Sequence, residues 1–74
     1  MSRKYAVVIE KGKTSFGAHV PDLPGCYAVA GTKREVEKLI SEAIALHIES
    51  LRNHGDPVPE PISEVEYIQP AAVA

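Results

Sequence analysis

Val36, Leu39, Ile40, Ala43, Ile44, His47, Ile48 and Leu51 fall at steps of three and four. That spacing lays one broad apolar stripe along a helix, with Lys38, Glu42, Glu49 and Asn53 outside it. Both helix ends carry signals. Thr32-Lys33-Arg34-Glu35 matches a capping box, in which the threonine hydroxyl accepts from the Glu35 amide and the glutamate side chain reaches back to the threonine amide. Gly55 is placed to take left-handed backbone after the last turn, Arg52 and His54 sit near the negative end, and Pro57 blocks continuation. A helix of roughly twenty residues with a single stripe must bury that stripe against something else in the chain.

The remaining segments supply short strands. Tyr5–Glu10 alternates, with Tyr5, Val7 and Ile9 on one face and Ala6, Val8 and Glu10 on the other. Lys11-Gly12-Lys13-Thr14 is a polar turn whose glycine can take positive φ, so the chain folds back into Ser15–Val20, where Phe16, Ala18 and Val20 share a face. A third strand is predicted over Cys26–Ala30 and ends at Gly31. After Pro57, Pro59 and Pro61, the stretch Ser63–Ile68 alternates again and predicts a final strand. The expected order is β-β-β-α-β: a two-layer α+β domain over residues 1–69, one helix on a small, mostly antiparallel sheet, with a frayed tail over 70–74. The opposite sheet face, with Ala6, Val8, Gly17, His19, Tyr27 and Val29, is neither clearly polar nor strongly apolar and is a candidate for subunit or partner contact.

At 74 residues the chain has room for one core, and below about 70–80 residues a single core leaves a thin stability margin. Its one cysteine cannot form an internal disulfide, and no Cys/His spacing suggests a structural metal. Self-association, as a homodimer or higher oligomer, is a natural expectation. The last strand is the candidate contact, through Val65, Tyr67 and Ile68, because a small sheet has edges that strand addition completes. Eight Lys and Arg against ten Asp and Glu give a net charge of −2, which argues against direct nucleic-acid binding by this chain. The basic start, Met1-Ser2-Arg3-Lys4, precedes an apolar run too short for a signal peptide or a membrane span, so a cytoplasmic protein is expected.

Pro21-Asp22-Leu23-Pro24-Gly25-Cys26 joins the second and third strands. Each proline fixes φ and withholds a donor. Pro24 and Gly25 suit the two corners of a type II turn, and Leu23 can plug the core. Asp22 is a short carboxylate held on this rigid loop. Catalytic readings are weak. A two-metal nuclease needs converging carboxylates, yet Glu10, Asp22, Glu42 and Glu49 are spread over a strand, a loop and the outer helix side, and the third strand has none. Cys26 and His19 flank the loop but lack an orienting third group. His19, His47 and His54 do not follow a common ligand spacing. No enzyme activity and no cofactor are expected.

Taken together, Phe16-Gly17-Ala18-His19-Val20, the P-D-L-P-G-C loop, the Gly31-Thr32 helix start, the Ile-rich helix and the G-x-P-x-P-x-P run from Gly55 to Pro61 resemble the HicB-like antitoxin family, over about Tyr5 to Tyr67. The resemblance implies a partial ribonuclease-H-like fold. It also implies the antitoxin half of a prokaryotic type II toxin–antitoxin pair, which neutralises a small, basic HicA-like mRNA-cleaving toxin by stoichiometric masking. Many of these antitoxins continue into a DNA-binding domain, whereas six residues follow Ile68 here, so a solitary domain is expected. Glu10 and Asp22 are the acidic groups that would meet the toxin's cations. The alternative is an orphan oligomeric interaction module that keeps the fold without a toxin.

Overall fold

The computed structural model describes residues 3–72. Three strands precede one helix: β1 (Val8–Lys11), β2 (Phe16–His19), β3 (Tyr27–Ala30) and α1 (Lys33–Asn53). The strands form an antiparallel sheet in the order β1-β2-β3. Val8 pairs with His19 and Lys11 with Phe16, while Phe16 pairs with Ala30 and His19 with Tyr27. α1 crosses one face of this sheet and packs on β3 and β2, which gives the expected two-layer α+β arrangement.

The core lies between the layers. Ala18, Val20, Leu23, Cys26, Val36 and Ile40 are buried, and Tyr5, Val7, Ile9, Phe16, Ala28 and Ala30 pack around them. Period two explains the strand members: Phe16 and Ala18 look toward the helix, and Gly17 and His19 look away. Period 3.6 explains Val36, Ile40 and the half-buried Ala43 and Ile44. Leu39, assigned by its spacing to the stripe, is 41% exposed. It sits to one side of the 36–40–44 line.

The helix caps form largely as the sequence predicts. The Thr32 hydroxyl accepts from the Glu35 amide at 3.1 Å. The reciprocal bond differs: the Glu35 carboxylate accepts from the Thr32 hydroxyl at 3.0 Å instead of from its amide. At the far end Gly55 has φ +72°, its amide donates to the Arg52 carbonyl, and the Asp56 amide donates to the Leu51 carbonyl at 2.9 Å. Those two bonds are a Schellman closure.

Two further expectations are corrected. Gly12 does not take positive φ. Its amide donates to the Ser15 carbonyl at 2.7 Å, and an added Cβ would come within 3.3 Å of that oxygen, so the glycine serves close approach here. The final strand does not form: 57–72 has no regular secondary structure, and among the described residues no backbone bond joins 63–68 to the sheet. An alternating segment becomes a strand only when an edge accepts its ladder, and β1 leaves its outer edge open. Of the tail predicted over 70–74, residues 73 and 74 lie outside the described residues, as do Met1 and Ser2 of the basic start. No described helix is long and apolar enough to cross a membrane.

Candidate interaction site

The loop 21–26 is built from two successive turns. The Leu23 amide donates to the Val20 carbonyl at 3.1 Å and the Cys26 amide to the Leu23 carbonyl at 3.0 Å. The second turn has Pro24 and Gly25 at its corners, with Gly25 at φ +84°, as a type II turn requires. The Val20 amide closes the loop onto the Cys26 carbonyl at 3.2 Å. Leu23, 0% exposed, is driven into the core, whereas Pro21, Pro24 and Gly25 remain outside.

Asp22 is half-buried and turned toward the chain's own C-terminal arm. Its Oδ2 accepts from the Ser63 amide at 2.9 Å and its Oδ1 from the Ser63 hydroxyl at 2.8 Å. The arm is held again upstream. The Tyr5 hydroxyl donates to the Pro59 carbonyl at 2.7 Å, and Arg3 pairs with Glu60 at 3.4 Å. Ser63, Tyr5 and Arg3 carry no local motif, so sequence reasoning missed these anchors. The proline run was the available signal, because a stiff segment must lie against something over its length.

The sheet face away from the helix is open. The pairing register places Val8, His19 and Tyr27 in one row and Glu10, Gly17 and Val29 in the next. Tyr27 is 70% and Val29 60% exposed. Gly17 contributes no side chain, which leaves a notch between Glu10 and Val29. Where the face meets the loop, His19, Pro21, Pro24 and Tyr27 border a shallow recess of ≈ 290 Å³. The surface offers one aromatic ring, two aliphatic side chains, one imidazole and one carboxylate over a rigid hydrogen-bonded sheet. Such a mix suits a protein partner, since exposed aromatic and aliphatic groups anchor interfaces and a peripheral charge steers encounter.

The residues weighed for chemistry are not brought together. Glu10 stands on the open face, Asp22 on the loop, and Glu42 and Glu49 on the exposed side of α1. Cys26 is buried in the core, and burial pushes its thiol pKa up, the reverse of an activated nucleophile. His19 is exposed on the open face and borders the same recess as Cys26, but among the described residues no hydrogen bond joins the two. His47 is half-buried on α1, and the His54 ring, protonated at Nδ1, donates to the Ser50 carbonyl at 2.7 Å and caps the helix. Among the described residues, no three His, Cys, Asp or Glu side chains are grouped to hold a metal ion.

Comparison with known proteins gives this surface its context. The model of the family described as HicB_like antitoxin of bacterial toxin-antitoxin system matches residues 5–72. A UPF0150 protein of Thermoplasma acidophilum is 40% identical over 62 residues, covering 82% of this chain and 90% of that protein. An uncharacterized 14.9 kDa protein from the rep-hol intergenic region of Haemophilus phage HP1 is 33% identical over 86% of this chain and 48% of its own length. Among solved structures, a chain of the HicA3 and HicB3 toxin-antitoxin complex superposes with a TM-score of 0.70 at 37% identity, covering 81% of this chain and 70% of that one. The three-strand, one-helix arrangement is consistent with a partial ribonuclease-H-like fold.

Proposed function

We propose that this chain, which belongs to the HicB-like antitoxin family of bacterial toxin–antitoxin systems, neutralises a small, basic HicA-type mRNA-cleaving toxin by stoichiometric binding. The observation that carries this reading is the 37% identity, over 81% of the chain, to a chain of a toxin–antitoxin complex. The open sheet face is the surface we assign to the toxin. Tyr27 and Val29 are its apolar contacts. Glu10, exposed in the same face, and Asp22, on the adjoining loop, are its acidic groups and speed encounter with a cationic partner. Masking needs no catalysis by the antitoxin, and the buried Cys26 and scattered carboxylates fit a non-enzymatic role. The site of action is the cytoplasm, where the toxin meets mRNA.

The test pairs the tagged chain with any small basic protein encoded next to its gene and measures RNA cleavage as antitoxin is titrated in. Inhibition complete near one antitoxin per toxin supports the proposal. Tyr27→Asp with Val29→Asp is expected to abolish inhibition while leaving helical circular dichroism unchanged, because both side chains are largely in solvent. Full inhibition by that variant would overturn the open face as the site. Failure of the parent chain to bind or inhibit any such neighbour would instead favour an interaction module without a toxin.

A further inference from the structure

Gly17 sits on β2, the strand with a neighbour on each side. Glycine inside a strand is costly, because it has the most backbone freedom to lose and no side chain to pack. Two reasons within a chain keep one there, and neither holds at this position. Its φ is not positive, so any residue could adopt its backbone. A Cβ added to it would meet nothing within 4 Å, so no group of its own chain needs the space. The remaining reason for a strand glycine is the close approach of something from outside.

The notch that this glycine leaves has a defined chemistry. Gly17 pairs with Glu10 on one side and Val29 on the other. Strands stand about 4.8 Å apart, so these two flanking backbones lie about 10 Å apart across it, and an aliphatic chain about 4 Å thick fits between their side chains. Val29, 60% exposed, forms an apolar wall. Glu10, the opposite wall, is exposed as well. Among the described residues Arg3 pairs with Glu60, and no cation pairs with Glu10. Lys11, next along β1, lies on the helix side with Val7, Ile9 and Phe16.

We propose that the notch over Gly17 receives one lysine or arginine side chain of a basic protein partner, its aliphatic stem lying on the Gly17 backbone against Val29 and its cationic head paired with Glu10. The occupant follows from the walls: the apolar side suits a methylene stem, and the carboxylate facing it suits a cation. Gly17 then sets specificity by its missing volume, since any side chain there would take the place of the stem. The proposal rests on the toxin reading and adds to it the contact that selects the partner's chemistry.

The full chain is tested alone and with the small basic protein encoded next to its gene. Alone, Gly17→Val should raise the urea midpoint, because a β-branched residue suits an open strand position. A lower midpoint would show that the glycine serves the fold and would sink the proposal whatever the partner does. In RNA cleavage, Gly17→Val should weaken inhibition roughly tenfold to a hundredfold, the loss of one interface anchor. Glu10→Gln should weaken it too and reduce its salt dependence. In the Gly17→Val background Glu10→Gln should add little, because both act on one partner side chain. Parent-like inhibition by a more stable Gly17→Val would overturn the notch and leave the toxin reading intact. Loss in Gly17→Val with none in Glu10→Gln would mean that an uncharged group fills the notch, against the cationic occupant. A parent chain that inhibits no such protein would overturn the toxin reading and this proposal together.

Discussion

Ser63 presents both its amide and its hydroxyl to Asp22, at 2.9 and 2.8 Å, and so ties the C-terminal arm to the loop between β2 and β3. Hydrogen bonds to a charged acceptor contribute about 1.5–3 kcal/mol when sheltered, and this pair is only half-buried, so the lower part of that range applies. Asp22→Ala is therefore expected to destabilise the protein by about 1–2 kcal/mol in urea unfolding. It should also make the Ser63 amide exchange with solvent as fast as an unprotected one. Asp22→Asn, which keeps one carbonyl acceptor, should lie between. Unchanged exchange at Ser63 in Asp22→Ala would remove the clasp.

Leu23 is the side chain that turns a rigid loop into part of the core. It is 0% exposed, and among the described residues only Val36 matches it as a fully buried side chain. Truncating a buried leucine to alanine costs about 2–5 kcal/mol, against a total of roughly 4–11 kcal/mol for a chain of this length. Leu23→Ala is expected to lower the urea midpoint severely or to leave the chain largely unfolded at 25 °C. A loss under about 1 kcal/mol would show that the loop is not packed as described.

Local signals in this sequence were reliable where the physics is local. The Thr32 cap, the Gly55 closure and the Pro24-Gly25 turn depend on backbone geometry within a few residues, and each forms at its expected place. The core members of β2 and the start of α1 followed from periodicity, because both elements have one buried face. What was not legible depends on distant parts of the chain. Ser63 reaches Asp22 across 41 positions and Tyr5 reaches Pro59 across 54, contacts that no local pattern specifies. The missing final strand has the same origin: alternation over 63–68 marks a segment able to pair but does not say which edge receives it. The open face was legible only as a list of outward residues, and its rows came from the strand register.

Gly55 and Thr32 hold opposite ends of α1 by different means, and the difference is measurable. At Gly55 an added Cβ meets nothing within 4 Å, so Gly55→Ala acts through the backbone alone, at φ +72°. Placing an L-residue there costs about 1–2 kcal/mol. Gly55→Asn should cost less, since asparagine tolerates that region. Thr32→Ala removes the acceptor for the Glu35 amide and is expected to cost about 1 kcal/mol. Thermal unfolding followed by circular dichroism at 222 nm would rank the three variants, and a neutral Gly55→Ala would contradict the left-handed closure.

Cys26 gives the protein a predictable alkaline limit. Burial disfavours the thiolate, so the folded thiol titrates above its ordinary value of 9.0. Below that pH both folded and unfolded chains keep the proton, and the group contributes no pH dependence. Above it the unfolded chain loses its proton first and binds fewer protons than the folded one, so stability falls as pH rises through the folded value. Cys26→Ala lacks this term. The difference in urea midpoint between the parent and Cys26→Ala should therefore shift against the parent between pH 8 and pH 10. The same burial should make the native thiol react with a disulfide reagent much more slowly than the urea-unfolded chain at equal pH. Equal reaction rates would place Cys26 at the surface and remove it from the core between Leu23 and Val36.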